Sequence, residues 1–137
     1  QINIDKKEKT MGYYMKQIAC NFRVKKENLD KMFEAIKNIP GENYSWVNDF
    51  KNCDHIKEAL LEWRWEPYFD KDGNIWHLSF DGQKFGDDEV LFHAIAPFVE
   101  AGSYICMRGE DDTLWKWYFD GEHLREFAGR IVWDDEI

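Results

Sequence analysis

From Tyr14 onward apolar and polar residues alternate, with Ile18, Cys20, Phe22 and Val24 on one side and Gln17, Asn21 and Arg23 on the other. A period of two over this length predicts a half-buried strand. The period then changes. Leu29, Met32, Phe33 and Ile36 stand at i, i+3, i+4 and i+7, the stripe of an amphipathic helix running from about Lys26 to Asn38 and stopping before Pro40-Gly41. No period marks the stretch to Asn52, which reads as a connection. Ile56, Ala59, Leu60 and Trp63 repeat the helical spacing, with Asp54 placed to cap the start. Pro67 is expected to close that helix, because it lacks an N–H and disfavours α at Glu66.

Next comes a hairpin signal, Phe69-Asp70-Lys71-Asp72-Gly73-Asn74-Ile75-Trp76. A two-residue type I′ turn at Asp72-Gly73 pairs Phe69 with Trp76 and Trp65 with Phe80, on one face with Pro67 and Leu78. Asp87-Asp88-Glu89 opens a third helix, where the helix dipole favours negative charge. Leu91, Ile95 and Phe98 form its stripe, Pro97 ends it near Ala96, and Gly102 suits the stop. Strands follow at Tyr104–Arg108, Leu114–Phe119, His123–Phe127 and Arg130–Trp133. Turns are expected at Gly109–Asp112, Asp120-Gly121 and Ala128-Gly129.

The stretch Asp72–Gly82 (DGNIWHLSFDG) is echoed 39 residues later by Asp111–Gly121 (DDTLWKWYFDG), with identity at the Asp, Trp, Phe, Asp and Gly positions. Two successive α-β-β units are one explanation. Shared turn chemistry between two aromatic-rich hairpins is the other. Either way the order β-α-α-ββ-α-ββββ predicts an α+β fold, an antiparallel sheet with about three helices packed on it.

Composition narrows the class. With 137 residues, 44% apolar and 17% aromatic, residues 11–137 form a single globular domain rather than a disordered chain. Residues 1–10 are polar, lysine-rich and aperiodic, and read as a disordered leader or expression remnant ahead of Met11-Gly12. No apolar run approaches the roughly 18 residues a membrane helix needs. The three cysteines, Cys20, Cys53 and Cys106, are an odd number without CxxC spacing, which fits a reducing, cytoplasmic compartment.

Charge is uneven. Residues 1–40 carry 9 Lys+Arg against 5 Asp+Glu, and residues 41–137 carry 9 against 22, for a net −9. That balance argues against direct, sequence-independent binding to nucleic acid or anionic lipid. Acids cluster at Asp87-Asp88-Glu89, at Glu110-Asp111-Asp112 and at Asp134-Asp135-Glu136. The last two groups lie at a hairpin tip and at the end of the sequence, where a return strand brings them to one edge of the sheet. A solubilising face is the plain reading of such clusters. A footprint for a basic protein is the functional one.

Motifs for chemistry are scarce. His55, His77, His93 and His123 sit in different elements, so no metal set converges, and Asp70–Asn74 departs from a calcium loop in its Gly and its twelfth position. There is no GxGxxG, GxxxxGK[ST] or GxSxG, and Ser45, Ser79 and Ser103 lie beside no motif. No catalytic residue, metal or cofactor is therefore assigned. Among 27 acids some pair always resembles a glycosidase dyad, which decides nothing. Trp115, Trp117 and Phe119 alternate along one strand, a stripe that is either core or a stacking platform. Tyr104, Cys106 and Tyr118 fall on the opposite side. If no helix covers them, Tyr104 and Tyr118 make an exposed aromatic patch of the kind that binds.

Leu91–Ile105 (LFHAIAPFVEAGSYI), Leu114–Gly121 (LWKWYFDG), Ile131–Trp133 and the opening Met11–Tyr14 (MGYY) resemble small uncharacterised acidic proteins of bacteria and their phages. The likeness covers most of residues 11–133 and rests on packing patterns. It implies a bacterial cytoplasm or a mobile element, and no activity. Two expectations result. One is a protein-binding inhibitor, of the phage anti-defence or toxin-immunity type, covering a nuclease or other basic nucleic-acid-binding protein with its acids. The other is a small-ligand binding module with an aromatic-lined pocket.

Overall fold

The computed structural model describes residues 12–137; the expectations for residues 1–10 and for Met11 lie outside them. Strand β1 (Met15–Asn21) leads through a 3₁₀ turn at Lys26–Asn28 into helix α1 (Leu29–Lys37). After the irregular stretch come α2 (Ile56–Glu62), β2 (Trp65–Phe69) and β3 (Ile75–Phe80). Helix α3 (Asp88–Ile95) continues as a 3₁₀ turn at Ala96–Phe98, because Pro97 removes an N–H there. The sheet is completed by β4 (Ser103–Gly109), β5 (Leu114–Phe119) and β6 (Leu124–Gly129). The architecture is α+β: among the described residues, three helices, an antiparallel sheet in the order β1-β4-β5-β6, and a separate β2-β3 hairpin.

The two sheets meet edge to edge along β1. At one end Val24 pairs with Ile75, and at the other Tyr14 pairs with Lys84. Between these bridges the seam is closed by side chains. The Gln17 amide donates to Leu78 O at 2.8 Å and accepts from Phe80 N at 2.8 Å, and the Cys20 thiol reaches Leu78 O. These bonds satisfy backbone groups that the missing ladder would leave orphaned.

The inner face of both sheets shares one core. Phe92 of α3 stacks against Trp65, Trp117 and Phe119, and Trp65 packs on Phe80 and Trp117. The Trp115–Phe119 stripe is therefore core. Beside it lies a buried polar knot. Asp88, 1% exposed, accepts from Arg64 Nη2 at 2.9 Å and from Trp65 Nε1 at 2.8 Å, while Arg64 Nη1 donates to Lys84 O. Burial raises the Asp88 carboxyl against the opposing pull of Arg64.

Several local expectations change. A bulge between Gln17 and Ala19 makes Ile18 an extra residue on β1, half-exposed, while Phe22 and Val24 stay buried. His55, not Asp54, caps α2, its Nδ1 accepting from Glu58 N, and Asp54 N donates back to Glu58. The helix stops at Glu62, and Arg64 takes the left-handed conformation (φ 73°), so Pro67 plays no part in ending it. Pro67 sits instead in β2, an edge strand that tolerates the missing donor. Finally, β6 runs straight through Ala128-Gly129, and Arg130–Trp133 forms no strand. Without a further turn, Ile131, Val132 and Trp133 lie in solvent, Trp133 at 88% exposure.

Candidate functional site

The acidic end of the sheet is built around the β4-β5 loop. Gly109 N donates to Thr113 O and Asp112 N to Gly109 O, and Asp112 takes a left-handed φ of 66°. That is a type I turn followed by a left-handed residue, the geometry of a three-residue hairpin loop. All three carboxylates have structural partners. Glu110 Oε1 accepts from Tyr14 N at 2.8 Å, Asp111 Oδ1 takes the Tyr13 hydroxyl and Thr113 N, and Asp112 forms a salt bridge with Arg108 at 2.6 Å. Burial, and then the bond to Asp111, push the Tyr13 hydroxyl up to about 12. Tyr13 passes so close over Gly109 that a Cβ there would overlap its hydroxyl.

The segment before β1 is held on both sides. Met15 N bonds Gln83 O and Phe85 N bonds Tyr13 O, while Glu110 N bonds Tyr14 O. A groove of about 530 Å³ opens there, lined among others by Tyr14, Lys16, Gln83, Arg108, Glu110 and Asp112. It presents two cations, two carboxylates and a half-exposed ring, a set suited to ion pairing and hydrogen bonding with a charged side chain.

Leu114 pairs with Gly129, so β6 ends beside the start of β5. The segment carrying Asp134, Asp135 and Glu136 therefore leaves the sheet at the end occupied by Glu110, Asp111 and Asp112. The expected return strand is absent, and the first three acids sit on an exposed, irregular tail. Asp87 and Asp88, by contrast, are spent internally, Asp87 on Ser45 N at 2.7 Å and Asp88 in the buried knot.

The outer face of β4-β5-β6 is a second, separate surface. Alternation turns Tyr104, Cys106 and Arg108 outward on β4, Leu114, Lys116 and Tyr118 on β5, and Arg125 and Phe127 on β6, all half-exposed or exposed. Register places Tyr104 opposite Tyr118, and Lys116 between Cys106 and Phe127. The Lys116 ammonium lies 5.8 Å from the Tyr104 ring, 5.9 Å from Tyr118 and 5.5 Å from Phe127. Tyr104 and Tyr118 thus lie side by side on the outward face, both partly buried. Lys116, Arg125 and Phe127 complete it. The signal for Lys116 was present, since it stands out of phase with Trp115 and Trp117 in a strand whose tryptophans face the core.

Among the described residues no three His, Cys, Asp or Glu side chains converge on a metal position. No described helix is long and apolar enough to cross a membrane. Comparison with known proteins returns no matching family model, no matching curated protein and no matching solved structure.

Proposed function

We propose that this chain is a protein-binding inhibitor, of the phage anti-defence or toxin-immunity type, that meets a basic partner with the acidic end of its sheet. The observation that carries this reading is the register of β5 with β6, which sends two acidic triplets out of the same end of the fold. Glu110, Asp111 and Asp112 are fixed by Tyr14, Tyr13 and Arg108 before any partner arrives, so little side-chain freedom remains to be lost on binding. The mobile-element context and the partner class, a nuclease or other nucleic-acid-binding protein, belong to the same proposal. Three cysteines without a disulfide accord with a reducing cytoplasm.

The test uses the intact chain as bait in host lysate at low and high salt, beside a Glu110→Lys/Asp134→Lys/Asp135→Lys variant. Asp111 and Asp112 are left intact because they hold the loop to Tyr13, Thr113 and Arg108, whereas Glu110 gives up a single exposed bond, from Tyr14 N. The reading expects a basic protein captured at low salt, released at high salt and lost by the variant. Identical captured sets for both baits contradict it.

A further inference from the structure

The four strands β1, β4, β5 and β6 hold their charges on opposite sides. They contain four cations, Lys16, Arg108, Lys116 and Arg125, and a single carboxylate, Glu126. Glu126 pairs across from Trp117, on the core side, and accepts from Trp117 Nε1 at 3.2 Å. The outward positions therefore carry positive charge only, in a chain where acids outnumber bases 27 to 18. The net charge of −9 belongs to the loops, the helices and the tail.

This cationic face is also aromatic. Tyr118 and Phe127 lie on neighbouring strands with ring centroids 6.2 Å apart, and Tyr104 faces Tyr118 across the β4-β5 ladder. Lys116 stands among the three rings, and Arg125 lies 5.8 Å over the Phe127 ring. Beside them a shallow depression of about 420 Å³ runs past Ile18, Cys106, Leu114, Lys116, Phe127 and Arg130. Rings that stack bases, interleaved with cations that meet phosphates, on an outward antiparallel face, are what a single strand requires.

We propose that the outer face of β4-β5-β6 docks single-stranded nucleic acid, bases stacking on Tyr104, Tyr118 and Phe127 and phosphates pairing with Lys116 and Arg125. Charge complementarity selects this occupant. A duplex would present its phosphates to the acidic loops that border the face, whereas a single strand is narrow enough to stay on it. Arg108 is partly neutralised by Asp112 and contributes less. The proposal uses none of the carboxylates of the acidic end, so either reading can fail while the other stands.

The experiment is fluorescence anisotropy of labelled oligo-U and oligo-dT of about twelve nucleotides with the full chain, over a range of salt. With two phosphates neutralised, by Lys116 and Arg125, log K should fall against log salt with a slope of about −1.4. Lys116→Glu should weaken binding at least about tenfold and flatten that slope by close to one phosphate's share, while Lys116→Arg retains it. Phe127→Ala should weaken binding with the slope unchanged, because stacking is not ionic. Arg125→Glu, at an exposed position, repeats the charge test if Lys116→Glu fails to fold. Absence of binding at low salt overturns the proposal, as does binding indifferent to both charge reversals. A peptide of residues 130–137, which places Trp133 before Asp134, Asp135 and Glu136, represents the rival occupant. Binding of that peptide to the face without binding of either oligonucleotide also overturns it.

Discussion

The β2-β3 and β4-β5 hairpins share a loop and differ in what they do with it. Asp70 N donates to Asn74 O and Gly73 N to Asp70 O, the pattern repeated 39 residues later by Gly109, Asp112 and Thr113. The left-handed residue is Gly73 (φ 89°) in one loop and Asp112 (φ 66°) in the other. The expected two-residue turn at Asp72-Gly73 is thus replaced by a longer one, because Asp70 Oδ1 takes the N–H groups of Asp72 and Asn74. Beyond the loops the hairpins part. Ile75 faces the core while its counterpart Leu114 faces out, and a bulge that places Phe69 opposite Ile75 but Tyr68 opposite His77 lets Trp76 flip to solvent. That extra residue returns Leu78 and Phe80 to the core. A sequence repeat here preserves turn chemistry and not packing.

The largest expected contrast lies in the two matched tryptophans. Trp115 is 1% exposed and Trp76 is 53% exposed. Trp115→Ala should cost about 3–5 kcal/mol in urea unfolding, as large core truncations do. Trp76→Ala should stay within about 0.5 kcal/mol, as a surface substitution. Equal losses would return the two hairpins to equivalence.

A smaller contrast separates the left-handed positions. Gly73→Ala places a Cβ at φ 89° and should cost about 1–2 kcal/mol. Asp112→Gly relieves the same strain but removes the exposed pair with Arg108, itself worth about 0–1 kcal/mol, so its net effect should be near zero. Thermal midpoints of the two variants check the difference.

Acid and alkali should loosen different loops. Bonds from Asn74 N–H, ahead of those from Asp72, hold the Asp70 carboxyl below the usual carboxylate range. Its contribution is present above that range and lost as pH falls through it. Tyr13, raised from 10.0 to about 12, contributes fully below pH 10.0 and loses that contribution as pH rises toward 12. The stability gap between wild type and Asp70→Asn should therefore close in acid, and that between wild type and Tyr13→Phe should close in alkali. Gaps that stay constant with pH would show that neither bond holds its loop.

Much of the fold was legible because periodicity is a local signal. Helices α1, α2 and α3 follow their stripes, and Gly73 and Gly121 both lie in hairpin turns as expected, Gly121 at φ 101°. What escaped depends on partners distant in sequence. The bulges at Ile18 and Trp76 are set by pairing register, and the β1-β3 seam by the Gln17 amide. Arg130–Trp133 has the composition of a strand and forms no ladder with the described residues. The acidic triplets were visible as sequence, yet the roles of Asp111 and Asp112 in holding Tyr13 and Arg108 were not, since their partners lie in other elements or across the turn.

The central claim, that the acidic end of the sheet recruits a basic partner, is tested most directly by association kinetics. The measurement is the association rate of the captured partner against salt, for wild type and for Glu110→Lys/Asp134→Lys/Asp135→Lys. Steering by the acidic end of the sheet predicts a rate at least about tenfold slower for the variant at low salt, converging with wild type as the Debye length shrinks to about 3 Å near 1 M salt. Equal rates with equal salt slopes would contradict the claim and leave the acids as a solubilising surface.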